Sequence, residues 1–106
     1  MSAEMKERRE RDKEFASILK RCLVYESGKL DMNTWCEESL KKIEHLRSLD
    51  EDNEMYLLVH AHICLLGKRF EEAKWILESY NYNRFAIGKK CRDQFLLFVS
   101  DHAAFQ

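Results

Sequence analysis

The sequence contains no proline and only three glycines among its 106 residues. Proline breaks the interior of a helix and glycine weakens it, so this scarcity favours long, uninterrupted helices over a protein of strands and turns. An apolar content of 45% beside 35% charged residues is ordinary for a globular chain. We therefore expect an all-α protein of about five antiparallel helices, and the length suits a single domain.

The chain also lacks a long apolar run and an excess of charge of either sign. His60 and His62 interrupt the longest apolar stretch, so no segment reaches the roughly 18 residues that a membrane-spanning helix needs. Eighteen basic and nineteen acidic side chains leave a net charge of −1, which provides no general positive field to hold a phosphate backbone. We expect neither membrane insertion nor autonomous binding of nucleic acid.

The cysteines do not have the clustered spacing of a metal site or a disulfide framework. Each lies in an apolar helical pattern, and no secretory signal pattern precedes them. They are typical of reduced core thiols, which predicts an intracellular, soluble protein. The four are Cys22, Cys36, Cys64 and Cys91.

The most apolar stretch runs from Met55 to Leu66 and has almost no polar position. A helix drawn through it has no wet face, which predicts a central core helix. The break at residues 67–69 lets the chain turn back into a second helix, whose apolar residues recur at spacings of three and four. These are Phe70, Ala73, Ile76, Leu77 and Tyr80.

The N-terminal residues differ from this core in composition. Residues 3–14 carry five basic and five acidic side chains, so residues 1–14 are predicted to be a charged helical lead-in and residues 15–106 a helical interaction domain. The next apolar stripe predicts a first helix that ends near Gly28. The stripe consists of Phe15, Ile18, Leu19, Cys22 and Leu23.

The remaining helices follow from caps and spacing. Thr34-x-x-Glu37 has the form of a capping box, which predicts the start of a second helix, with Trp35 flanking its buried stripe. The acidic residues 50–54 are predicted to cap the core helix. Helical spacing returns at Cys91 and predicts a last helix there. The second stripe consists of Cys36, Leu40, Ile43 and Leu46.

The sequence His60-x-His62-x-Cys64 is the pattern closest to a metal site. Only His60 and Cys64 share a helix face, and a third ligand would have to come from another helix, so we expect no metal and no other cofactor. The adjacent pair Glu71–Glu72 is predicted to face solvent. No nucleophile motif or nucleotide-binding loop occurs, so we predict that the protein is not an enzyme.

Two surface features remain open on sequence alone. Trp75 lies among charged residues beside the apolar seam, so it is either a rim residue folded over a neighbour or an exposed contact residue. A small basic cluster before the last helix is predicted to be a solvent-exposed surface and not a site that binds the phosphates of a nucleic acid. It consists of Arg84, Lys89, Lys90 and Arg92.

Residues 53–82 resemble the SIX domain, the helical region that precedes the homeodomain in sine oculis-type transcription factors. The resemblance implies an antiparallel helical domain in a nuclear regulator that binds a protein co-activator of the Eya type. In that family the first helix contacts the co-activator, and the matching outward positions here are Lys20 and Arg21. The matching residues are Asn53, Glu54, Leu57, Ala61, Phe70, Glu72, the run Ile76–Leu77–Glu78–Ser79 and Tyr82.

The same residues are also similar to one tetratricopeptide-type (TPR-like) unit, with Ala61 and Ala73 at the small positions where two helices approach. This resemblance implies a scaffold or dimerisation module, including a homodimer. Both resemblances predict a non-enzymatic protein that binds a protein partner, either a co-activator or a scaffold subunit. The residues predicted to contact that partner are Lys20, Arg21, Tyr25 and Trp75.

Overall fold

The computed structural model describes residues 2–26, 31–83 and 86–103, and contains no strand in these ranges. Its helices are α1 (Ala3–Glu26), α2 (Met32–Leu49), α3 (Glu54–Leu66), α4 (Phe70–Ser79) and α5 (Ala86–Ala103). The predicted all-α class and single domain are confirmed. α3 lies at the centre and contacts each of the other four helices. Within these ranges, no helix has the length and apolar character required to cross a membrane.

α1 joins the predicted lead-in and the predicted first helix into one helix of 24 residues. Its first half is largely exposed, whereas Ile18 and Cys22 enter the core. Leu19, predicted to be buried with them, is 42% exposed. That prediction is wrong, because the contact of α1 with α2 and α3 buries Ile18 and Cys22 but leaves Leu19 accessible to solvent. The predicted helix end near Gly28 lies outside the described residues.

α2 begins before the predicted capping box. Asp31 is its N-cap, and Asp31 Oδ2 accepts hydrogen bonds from the backbone N–H and the hydroxyl of Thr34, both at 3.1 Å. The predicted start at Thr34 is therefore wrong. A carboxylate caps a helix at least as well as a threonine hydroxyl, and the earlier start adds hydrogen-bonded residues. The predicted α2 stripe is confirmed as buried: Cys36, Leu40, Ile43 and Leu46.

Trp35, predicted to flank that stripe, is instead fully buried in the contact between α1 and α2. Its indole Nε1 donates a hydrogen bond to the carbonyl oxygen of Arg21 at 2.8 Å. A large ring that is covered on all sides and has its N–H satisfied is a strong packing element. Trp35 therefore anchors α1 on α2.

The central helix α3 agrees with its prediction. Ten of its thirteen residues are buried. Asn53, one of the residues predicted to cap it, accepts hydrogen bonds at Oδ1 from the N–H groups of Met55 (3.0 Å) and Tyr56 (3.3 Å). Met55 is 40% exposed and His62 is partly exposed. α3 therefore has a narrow solvent-exposed edge, which the apolar pattern of its sequence does not predict.

The turn between α3 and α4 is a Schellman motif. The N–H groups of Arg69 and Lys68 donate to carbonyl oxygens in the last turn of α3, at 2.7 and 3.1 Å. Lys68 consequently adopts a φ of 62°, a conformation that favours glycine. Gly67 is required for a different reason, because a Cβ at that position would lie 2.6 Å from Cys36 Sγ. Gly67 thus allows α2 to approach the turn closely.

α4 and α5 close the core on the other side of α3. α5 begins at Ala86, five residues before the predicted start at Cys91. The prediction is wrong because the first turns of α5 are poor in apolar residues, which hides the helical period. Tyr82 lies buried before α5, and its hydroxyl donates to the carbonyl oxygen of Ile76 at 2.8 Å. Of the predicted α4 stripe, Tyr80 follows the helix as its C-cap and is only partly buried. The other four residues are buried: Phe70, Ala73, Ile76 and Leu77.

Candidate functional site

A connected group of polar and aromatic side chains joins α2, α3 and α4, and we call it the Arg47 cluster: Arg47, His60, Glu72, Trp75 and Tyr80. The Arg47 guanidinium donates from Nη1 to His60 Nδ1 (3.0 Å) and from Nη2 to the Tyr80 hydroxyl (2.7 Å). It also lies 5.1 Å from the centre of the Tyr80 ring. Trp75 meets Tyr80 edge-on, with ring centroids 5.9 Å apart. The cluster therefore runs from the core to the surface.

His60, at the inner end of the cluster, is buried and uncharged at neutral pH. Arginine can only donate hydrogen bonds, so His60 Nδ1 must accept and the ring proton is on Nε2. Burial, and then the nearby Arg47 charge, lower the pKa of His60 to about 4. The Nε2 atom has no hydrogen-bond partner among the described residues and lies 3.8 Å from Glu72 Oε1. His60 is thus a core histidine that bonds to a neighbouring helix.

His60 and Cys64 share one face of α3, as their spacing predicts, whereas His62 stacks on Phe95 with ring centroids 5.8 Å apart. The third ligand-type side chain is Glu72 from α4, and the three ligand atoms lie within 4.8 Å of one another. The prediction that Glu71 and Glu72 face solvent is confirmed for Glu71, which is exposed, and only in part for Glu72. Its side chain is 39% exposed and lies on the α3 side of α4.

These three residue types can bind zinc, but the hydrogen bonding around them opposes it. A metal at His60 Nε2 would require the ring proton on Nδ1, where Arg47 already donates. Burial, with smaller effects from Glu72 and Cys36, raises the pKa of Cys64 well above its ordinary value. The thiol therefore keeps its proton at neutral pH and is not an activated nucleophile.

Three of the predicted partner-binding residues lie on α1. Lys20 is exposed. Arg21 turns toward α2, where Nη2 pairs with Glu38 at 2.8 Å and Nε donates to the Ser39 hydroxyl at 3.3 Å, so that 24% of its side chain remains exposed. The side chain of Tyr25 lies outside the described residues. Arg21 therefore helps to hold α1 on α2.

Trp75, the fourth predicted residue, combines the two alternatives that the sequence leaves open. It folds against Tyr80, yet it is 58% exposed. Among the described helices, α1 packs on α2 and α3, whereas α4 packs on α3 and α5. The structure therefore does not bring Lys20 and Arg21 together with Trp75.

Two open depressions meet at Tyr80, beside Trp75. The smaller has a volume of about 260 Å³ and is lined by residues of α2, the following turn and Tyr80. The larger has a volume of about 610 Å³ and lies between the α2–α3 connection and the end of α4. Their solvent-accessible carboxylates form what we call the acidic edge: Glu44, Asp50, Glu51 and Asp52. The sequence offers no signal for this arrangement, because caps alone account for residues 50–54.

A buried carboxylate that the sequence did not single out as a core residue lies behind the acidic edge. Glu54 is 2% exposed, and its Oε2 would be 2.5 Å from a Cβ at Gly88. Gly88 is in the first turn of α5, where a negative charge is favourable. Glycine at that position therefore lets a carboxylate from α3 approach the start of α5.

The predicted basic cluster lies largely within α5 and not before it. Lys89 and Lys90 are exposed, as predicted. Arg92 is partly buried, pairs with Asp93 at 2.9 Å and lies 5.7 Å from the Tyr82 ring centre. Arg84 lies outside the described residues. The cluster is thus split between a wet surface and a packing contact.

Comparison with known protein families gives a match over most of the chain. The family described as "family of unknown function (DUF5717), N-terminal" matches residues 1–99. No curated protein and no solved structure matches the chain.

Proposed function

The chain belongs to the DUF5717 N-terminal family, and we propose that it is a non-enzymatic helical module that binds another protein through the surface around Trp75. The observation that carries this proposal is the 58% exposure of Trp75 beside Tyr80 and Arg47. Tryptophan, tyrosine and arginine are the residue types most enriched among interface hot spots. Here Tyr80 contacts both Trp75 and Arg47 at the protein surface.

The chemistry of the Arg47 cluster supports a role other than catalysis. Cys64 keeps its proton, and a histidine with a pKa of about 4 is a weak base at neutral pH. The described residues therefore provide no activated nucleophile at this cluster. What the cluster does provide is a rigid support for the exposed Trp75 ring.

Two settings for the partner follow from the resemblances. The SIX resemblance makes a co-activator in a nuclear transcription complex the first candidate. The alternative is a TPR-like scaffold or dimerisation module of a multisubunit assembly. This TPR-like alternative is favoured by the complete burial of Ala61 and Ala73, one on each helix of the α3–α4 pair.

Quantitative affinity capture with the full chain tests the proposal. Trp75→Ala should reduce the amount of captured partner by about tenfold or more, since hot-spot truncations cost about 2 kcal/mol. Leu97→Ala is the matched control, because Leu97 is an equally accessible apolar side chain on α5, 60% exposed. Unchanged capture by Trp75→Ala would refute the proposal.

The identity of the captured protein separates the two settings. Transcription co-regulators would support the SIX-like setting, and subunits of a scaffold or a second copy of the chain would support the TPR-like one. Circular dichroism melting curves of both variants confirm that each is folded before capture is compared.

A further inference from the structure

We infer that the segment of the partner that docks beside Trp75 is basic, with arginine or lysine side chains against the acidic edge and an apolar side chain on the Trp75 ring. This inference rests on the proposed function, because it names the chemistry of the partner at the same surface. It concerns a protein segment and not a metal ion or nucleic acid.

The charge of the acidic edge is not balanced by ion pairs among the described residues. None of its four carboxylates forms an ion pair with another described residue, in contrast to Glu14 and Glu38, which pair with Lys42 and Arg21. Glu71 and Glu78 add to this charge, since they lie four residues before and three residues after Trp75 on α4 and thus beside it. A basic segment would complement this surface.

The cations near this surface do not cancel it. Arg47 lines the smaller depression together with two carboxylates, those of Glu44 and Glu51, so its single positive charge does not balance them. The described residues that line the larger depression include no cation. Lys74 is exposed on α4, but Glu71 and Glu78 are exposed there as well. Acidic groups therefore remain in excess around Trp75.

The surface around Trp75 also combines negative charge with an exposed aromatic ring. Another depression of about 600 Å³, between α1 and α2, is also lined by carboxylates, those of Glu7, Glu10 and Glu14. It lacks an exposed aromatic side chain, and the acidic residues of α1 alternate with five basic ones. A segment that carries both an apolar and a basic side chain can contact a tryptophan ring and a carboxylate at the same time, which is possible at the Trp75 surface.

Fluorescence anisotropy with a labelled synthetic peptide tests the inference on the full chain. The probe is a helical peptide with arginines at every third or fourth position and leucines between them, and its counterpart carries glutamates instead of arginines. The basic probe should bind and the acidic one should not. Glu44→Gln with Glu51→Gln should weaken binding of the basic probe about fivefold to tenfold, the effect of two exposed ion pairs.

The matched control removes the same charge from the other depression. Glu7→Gln with Glu10→Gln should change the affinity less than about twofold, apart from weak long-range screening effects. Equal weakening of probe binding by the two double variants would overturn the inference. It would mean that the basic probe responds to the net charge of the protein and not to the acidic edge. Equal or tighter binding of the acidic probe would also overturn it.

A second copy of the chain is the competing occupant, since Lys89 and Lys90 are exposed on α5. Sedimentation of a dimer that Glu44→Gln with Glu51→Gln dissociates would overturn the inference in favour of self-association. A monomer that binds the basic probe supports it. Failure of the probe together with loss of capture by Trp75→Ala would refute the basic segment and leave the proposed function standing.

Discussion

Trp35 and Trp75 are the same residue type on two neighbouring parts of one small core, but their surroundings differ. Trp35 is fully buried, with its indole N–H bonded to the Arg21 carbonyl. Trp75 is 58% exposed and touches Tyr80 by one edge. α1 covers the first ring, whereas none of the described helices covers the second. The first tryptophan therefore stabilises the fold, and the second is accessible to a protein partner.

The two rings show that whether a tryptophan of this protein is buried depends on which helix lies opposite it. Around Trp35 the polar groups satisfy one another across α1 and α2. Around Trp75 the polar side chains form a chain of hydrogen bonds that leads from the core toward solvent. The buried His60 bonds to Arg47, and Arg47 bonds to Tyr80. The following variants test whether the two regions differ as strongly in energy as they do in exposure.

The largest effect is expected two residues from Trp75 on the same helix. Leu77 is fully buried, so Leu77→Asp would place an uncompensated charge in the core and should unfold the domain, a loss of about 5 kcal/mol or more. Leu58→Asp, at another buried position, should do the same. Trp75→Asp is the control and should remain folded. A native-like melt of Leu77→Asp by circular dichroism would show that the core is placed wrongly.

The two tryptophans can be compared directly by truncation. Trp35→Ala should lower the free energy of unfolding by about 3–5 kcal/mol, because it empties a buried site and removes a hydrogen bond. Trp75→Ala should lower it by less than about 1 kcal/mol. Urea denaturation followed by circular dichroism measures both. Similar losses would mean that the two rings have the same structural role.

Acidification should lower the free energy of unfolding of the domain through His60. The pKa of His60 is about 4 in the folded protein, below its ordinary value of 6.5, so between these two pH values the unfolded chain binds a proton that the folded one does not. The contribution of His60 to the free energy of unfolding is therefore complete above pH 6.5. It should fall by about 2–3 kcal/mol as the pH approaches 4. The groups that face His60 are Arg47 from α2, Cys64 of α3 and Glu72 from α4.

The pH effect is measured as the difference between the wild type and His60→Gln in urea denaturation across this range. The free energy of unfolding of His60→Gln should lack the slope against pH that His60 causes in the wild type. His45→Gln, at an exposed histidine of α2, should leave that slope in place. Identical slopes in all three proteins would show that His60 is not the titrating group.

The smallest effect is expected at the turn that connects the two regions. Lys68 has a φ of 62°, so Lys68→Gly should stabilise the domain by about 0.5–1 kcal/mol because glycine adopts this conformation without strain. Lys74→Gly, at an exposed lysine inside α4, should have the opposite sign and a similar size. Thermal melts of the two variants should therefore shift in opposite directions.

Much of the fold was predictable because helical periodicity is local. The buried stripes of α2 and α4, the apolar α3 and the cap at Asn53 all depend on residues within a turn of one another. The errors at helix starts have local causes too. Asp31 competes with Thr34 as a cap, and the polar first turns of α5 conceal its period.

The candidate site was predictable only in part. Trp75 stands out in the sequence because its helix does not use it for the core. Tyr80 stands out only as part of the apolar stripe of its helix. Arg47 does not stand out, because it lies 33 positions from Tyr80 in the chain and meets it only after folding. The partial burial of Glu72 and the exposure of Leu19 likewise depend on what lies opposite.

The sequence by itself determined that this protein is helical, that residues 55–66 form its centre and that no proline or strand pattern interrupts it, because these properties arise from spacings of three and four residues. Only the tertiary structure decided which tryptophan is covered, which carboxylates form the acidic edge and which nitrogen of His60 carries the proton. Each of these depends on contacts between side chains distant in the sequence, and no local pattern encodes such contacts.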